Sequence, residues 1–234
     1  MTKPRSSNGA SSMHLWWEGD LVREPIVAVS VTLTVLEVPP WRDLCFWALQ
    51  ASFADERGHH GAAHLGLQWY DRHPGSTAVN FGGYRDGGGE LGGTTSTLAS
   101  ATRNPNTRDY AWQPATPYRL EIAAAGDGTW SGRVDGEEIR SLSCPGARLA
   151  GFVMWTECFA DCGGAPSAVR WSDPQLQLAD GMVAWPSSYR VGYQTERDGG
   201  CGNGTAVADG GGAVVQRTGV ARTTPDGAVL RATA

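Results

Sequence analysis

Residues 26–38, IVAVSVTLTVLEV, alternate with period two and then stop at Pro39-Pro40. Successive side chains of an extended chain point to opposite faces. Ile26, Ala28, Ser30, Thr32, Thr34, Leu36 and Val38 therefore share one face, and Val27, Val29, Val31, Leu33 and Val35 the other. β-Branched residues fill much of the segment, so it is read as a long strand. An apolar strand face must be covered by a second layer, and this fixes the class of fold before any other residue is considered.

The same texture recurs along the chain. Residues 44–53 set Phe46, Ala48, Gln50 and Ser52 against Trp47, Leu49, Ala51 and Phe53. Residues 63–70, 78–84, 118–124 and 129–134 alternate likewise, and residues 150–159 form a strongly apolar strand. Shorter strand-like pieces lie at 14–17, 168–171, 175–178, 213–216 and 228–231. Asp127-Gly128 and Asp135-Gly136 are hairpin turns by composition. With 32 Gly and 13 Pro in 234 residues, the chain is punctuated too often for long helices. The expected fold is all-β, a two-sheet antiparallel jelly-roll sandwich. The expected organisation is a polar, disordered lead over 1–13, a sandwich over 14–181 and a Gly-rich β extension over 182–234, packed on or next to it.

Composition narrows the partners. Net charge is −5 and no run of Lys or Arg occurs, so no electrostatic footprint for nucleic acid is present. No stretch of about 18 apolar residues offers a membrane span. The first dozen residues lack an apolar segment of the signal-peptide kind. That lack points to the cytoplasm, whereas the five cysteines point to an oxidising, extracellular location, and the two readings conflict. A Cys162–Cys201 disulfide is expected, tying the extension to the turn after the 150–159 strand, with Cys158 as the rival partner. Cys45, between Leu44 and Phe46, reads as a buried thiol.

Catalytic and cofactor motifs are incomplete. His59, His60 and His64 do not fit a metal-binding helix, HExxH and GxSxG are absent, and residues 87–93 lack GxGxxG spacing, so no cofactor is expected. Glu157 follows Trp155 on one strand face, but a glycosidase needs two acids at a defined separation. Asp135, Glu137 and Glu138 begin at a turn, and Glu157 is read chiefly as a partner for Arg170. Asn203-Gly204-Thr205 is a formal glycosylation sequon.

What remains is a pattern of amides. Gln50, Gln68 and Asn80 fall in three successive strands, each opposite apolar neighbours. An amide both donates and accepts, which suits a hydroxyl-rich ligand. The ten Trp supply apolar faces on which sugar rings can stack. If a glycan binds, the amide face should hold it, with Tyr84 or Trp155 as the stacking surface and Glu157 and Arg170 at the rim.

The runs 46–53 (FWALQASF), 64–70 (HLGLQWY) and 78–84 (AVNFGGY), with 118–122 (YRLEI) and 155–171, resemble an uncharacterised bacterial group of concanavalin A-like lectin/glucanase sandwiches. Gly66–Gln68 supplies that group's G-x-Q strand, and Tyr84 stands where a Trp is expected. The resemblance covers about residues 40–180 and implies a jelly roll of a kind often used on polysaccharides; it carries no catalytic residues and no lectin metal site. Three functions follow: a non-catalytic carbohydrate-binding or cell-surface module; a glycan-active hydrolase or lyase using Glu157, with Asp161 or Asp173 as second acid; or a structural, protein-interaction domain.

Overall fold

The computed structural model describes residues 3–19, 25–40 and 42–232. The strands are β1 (Ser11–Glu18), β2 (Ile26–Glu37), β3 (Cys45–Asp55), β4 (Gly58–Trp69), β5 (Thr77–Arg85), β6 (Thr107–Asp109), β7 (Pro117–Gly126) and β8 (Thr129–Val134). They continue with β9 (Glu137–Ser143), β10 (Arg148–Cys158), β11 (Ser167–Leu178), β12 (Val183–Ala184), β13 (Ser188–Tyr193), β14 (Gly204–Ala208), β15 (Val214–Thr218) and β16 (Val229–Arg231). Among the described residues two short 3-10 turns, at Pro74–Ser76 and Glu196–Asp198, are the only helical elements.

Two antiparallel sheets face each other, as in a jelly-roll sandwich. Sheet A runs β16-β13-β1-β10-β3-β4-β5-β6, and sheet B runs β14-β15-β11-β2-β7-β8-β9 with β12 beside β11. The inner faces interdigitate: Leu15, Trp47, Leu49, Phe53, Leu65, Leu67 and Phe81 from sheet A meet Val29, Val31, Leu33, Leu120, Ile122 and Trp171 from sheet B. Packing is close enough that a Cβ on Gly132 would lie 2.5 Å from the Phe81 ring. The two Asp-Gly hairpins form as their composition requires. Asp127 and Gly128 take φ of 50° and 69°, Asp135 and Gly136 take 49° and 83°, the double positive φ of a tight right-twisting turn.

Several expectations change. The lead is tied down from Lys3 onward: Lys3 Nζ meets Asp43 at 2.6 Å, and the Arg5 amide donates to the Gly199 carbonyl. Residues 11–13 belong to β1, whose Met13, Leu15 and Trp17 enter the core. The pieces at 168–171 and 175–178 are one strand, β11, broken in register between Ser172 and Gln175, where Asp173 adopts a positive φ of 51°. The segment after residue 182 is shared between the layers. β13 and β16 extend sheet A, and β14 and β15 extend sheet B.

The Cys162–Cys201 disulfide is present. Cys45 is not a free thiol. It stands directly across from Cys158 in the β3–β10 register, and the two are bridged. Cys144, buried, is the free cysteine. Two disulfides fit an oxidising compartment. Among the described residues no helix is long and apolar enough to cross a membrane.

Candidate functional site

The outer face of sheet A follows from strand register. On β3 the core takes Cys45, Trp47, Leu49, Ala51 and Phe53, so Phe46, Ala48, Gln50 and Ser52 point away from it. Pairing then builds rows across the sheet. One row runs Arg190, Trp16, Val153, Gln50, His64 and Gly82. The next runs Gly192, His14, Trp155, Ala48, Gly66, Asn80 and Thr107. A third runs Ser12, Glu157, Phe46, Gln68, Ala78 and Asp109. Tyr84 lies beyond Gly82 on β5, across from Ala62.

Gln50, Gln68, Asn80, Tyr84, Trp155 and Glu157 thus share one face. Arg170 does not. It projects from β11 in sheet B, paired across that sheet with Thr34 and Val215, and its Nε donates to Asp209 Oδ2 at 2.8 Å. The sequence pattern shows which side of its own strand Arg170 occupies, but not that β10 and β11 lie in different sheets. The partner of Glu157 is instead Asn8, whose Nδ2 donates to Glu157 Oε1 at 2.7 Å. The three histidines do not converge either. His60 meets Asp55 at 2.8 Å, His59 lies 3.8 Å from Asp86, and His64 stands on the sheet A face.

The middle of this face is a second, small core. Phe46, Ala48, Val153 and Trp155 bury one another outside the main core. Phe46 meets Trp155 edge-on at 4.8 Å, and the His64 ring lies 6.0 Å from Trp155. Trp155 is only 8% exposed, so it is a wall and not the open stacking platform the sequence reading gave it. Gly66 keeps the floor low, since a Cβ there would collide with the Trp47 carbonyl.

Polar groups are buried here too. Gln68 and Asn80 are 6% and 7% exposed. Asn80 Nδ2 donates to Thr107 Oγ1 at 2.7 Å, while Asn80 Oδ1 and Trp155 Nε1 are buried without partners at normal geometry. Other indole nitrogens are also unpaired, but Trp17, Trp47 and Trp130 face the sealed sandwich core. On an outer face an unpaired donor and acceptor can be satisfied by something that docks there. Burial holds both His14 and His64 neutral, each lowered to about 4. For His64 the neighbouring Asn80 side chain pulls the other way, but burial outweighs it. Burial raises the Glu157 carboxyl above its ordinary value, partly offset by Asn8.

His14 and Trp16 were not singled out from the sequence. Their rings stack at 5.6 Å with 17° between planes, and Trp16 is 39% exposed. The alternation of residues 14–17 carried the signal, because Leu15 and Trp17 on the core side leave His14 and Trp16 outward. A recess at the end of the sandwich, near both disulfides, is walled by Met13, Cys158, Ala165 and Tyr193. Arg222 lies 3.9 Å above the Tyr193 ring there and donates from Nε and Nη2 to the carbonyls of Gly204 and Cys201.

Neither a protein-family model nor a curated protein matches the sequence. Solved structures share the sandwich at low identity. A scytalido-glutamic peptidase bound to a peptide-based transition-state analogue is similar over 91% of this chain and 98% of its own, at 12% identity and a TM-score of 0.49. The carbohydrate-binding module CBM66 from Bacillus subtilis covers 58% and 73% at 12% identity and 0.33. An alginate lyase from Pseudomonas aeruginosa covers 66% and 65% at 14% identity and 0.36. These likenesses are likenesses of fold.

Proposed function

We propose that the protein is a carbohydrate-binding sandwich module that holds its ligand on the outer face of sheet A without turning it over. The observation that carries the reading is the pair of unpartnered buried groups, the Trp155 indole N–H and the Asn80 carbonyl oxygen, set among Gln50 and Gln68 on an outward sheet face. A sugar hydroxyl gives and takes a hydrogen bond at once, so a row of hydroxyls suits the adjoining amides, and it reaches the two buried groups with a small shift of the side chains that cover them. Edge-on aromatic packing fixes Trp155 in place, so ordering the site costs little on binding.

Catalysis has one supporting observation, the raised pKa of Glu157, which suits a general acid. A second acid facing Glu157 across this sheet face is not among the candidates: Asp161 lines the recess at the end of the sandwich. Asp109, the other carboxylate in that row, is four strand steps away, about 19 Å along the sheet. Asp173 lies in sheet B at the β11 irregularity.

Affinity electrophoresis against a panel of soluble neutral polysaccharides tests the binding reading. The wild type should be retarded by at least one of them, and Gln50→Ala should lose several-fold in affinity at unchanged melting temperature. Release of reducing ends from the same panel, abolished by Glu157→Gln, would replace the module with an enzyme. Retardation by none removes the reading.

A further inference from the structure

We infer that the ligand is an extended, uncharged glycan chain laid across the strands and gripped at two separated platforms, Trp16 on β1 and Tyr84 on β5. This rests on the glycan-binding reading of the same face and specifies what that face takes. The central aromatics, Phe46 and Trp155, are 5% and 8% exposed and have almost no free ring surface. Trp16 and Tyr84, at 39% and 41%, are the exposed large aromatic side chains of this face among the described residues. Strands β10, β3 and β4 lie between them, so the platforms stand four strand steps apart, about 19 Å. Val153, Gln50 and His64 form the floor of that span.

Both platforms are braced. His14 stacks behind Trp16, and Gln50 Nε2 donates to Tyr84 Oη at 3.3 Å. One or two sugar rings cannot reach from one platform to the other, whereas a longer chain contacts both and the amides between. The track is also electrically quiet. His64 is neutral, Arg190 at one end is held by Glu18 at 2.7 Å, and Glu157 to the side is held by Asn8. Among the described residues nothing over the central strands offers a carboxylated sugar the charged partner it would need to leave water.

The test is calorimetric titration with linear neutral gluco-, manno- and xylo-oligosaccharides from dimer to octamer, with oligogalacturonates of matched length alongside. For at least one neutral series, affinity should rise about tenfold or more with length and then level off. Trp16→Ala and Tyr84→Ala should each cost about three- to tenfold with the long oligomers and flatten the rise of affinity with chain length. Thermal melts of both variants should match the wild type, since both side chains are exposed. Equal affinity for dimer and octamer, unaltered long-chain binding in both variants, or preference for the oligogalacturonates overturns the inference while leaving a glycan site at Gln50. If no oligosaccharide of either kind binds, the glycan-binding reading itself falls and takes the inference with it.

Discussion

The outer faces of the two sheets obey the same alternation but differ in content. On sheet B the outward positions are charged and matched to one another. Arg119 reaches Ser30 and Gln175 at 2.6 and 2.8 Å, Arg133 meets Glu121 at 3.1 Å, and Arg170 meets Asp209 at 2.8 Å. Every one of those guanidinium groups has found its partner within the protein. On sheet A the corresponding rows carry amides, neutral imidazoles and indoles, several of them buried, and a donor and an acceptor there have no partner; sheet B also buries outward hydroxyls, and the Ser131 Oγ among them is unpartnered. A polar face that is merely wet has no reason to bury its polar atoms, because water satisfies them at no cost of desolvation. What separates the faces is charge: sheet B pairs its arginines internally, while sheet A carries the neutral amides and aromatics on which the proposed binding face rests.

The sharpest way to break this contrast is Trp155→Ala. It removes the centre of the small outer core, should cost about 3 kcal/mol in a urea melt, and should abolish glycan binding. A loss below about 0.5 kcal/mol would mean that the ring merely rests on the sheet.

A pH titration comes next. Because His14 and His64 are neutral in the fold down to about pH 4, the unfolded chain takes up protons first as pH falls below about 6.5. Stability should be full above that value and decline progressively toward pH 4. The raised Glu157 works in the opposite direction, favouring the fold as it becomes protonated. Asp55 and Asp109, whose pKa values are lowered, add their losses only as pH falls below their ordinary range. His64→Gln should flatten the decline between pH 6.5 and 4, and an unchanged profile would place the imidazole in water.

Smaller effects separate the faces more finely. Gln50→Ala should weaken glycan binding by a neutral hydrogen bond or two, about 1 kcal/mol, without moving the melting temperature. Arg170→Ala, on sheet B, should change stability by less than about 0.5 kcal/mol and binding not at all. A binding defect in Arg170→Ala would transfer the site to the other sheet.

The legible parts of the fold are those where local pattern and burial agree. Residues 26–38 and 44–53 alternate because one side is core, and the Asp-Gly pairs form turns through backbone chemistry alone. The inward alternation of Tyr189, Val191 and Tyr193 in β13 is short and lies in the Gly-rich stretch after residue 182, which reads as a β extension without resolving this strand. β14, of five residues, offers too short a pattern to read. The amide face was legible from Gln50, Gln68 and Asn80, since period two places each opposite a core residue. Its edges were not. Sheet order brings β1 beside β10, so Trp16 joins that face from more than a hundred positions away, while Arg170, much nearer in sequence, goes to the other layer. Cys45 likewise had an apolar context that fits a thiol, and only its register with Cys158 makes it half of a bridge.

The most direct measurement is an NMR titration of isotopically labelled protein with a neutral oligosaccharide that affinity electrophoresis has shown to bind. Side-chain signals report both faces at once. The indole N–H resonances of Trp16 and Trp155 and the amide NH₂ signals of Gln50, Gln68 and Asn80 should shift together and saturate, with the Arg119 and Arg170 guanidinium signals unmoved. Shifts confined to the arginine face, or spread evenly over both sheets, would contradict a glycan-binding face on sheet A.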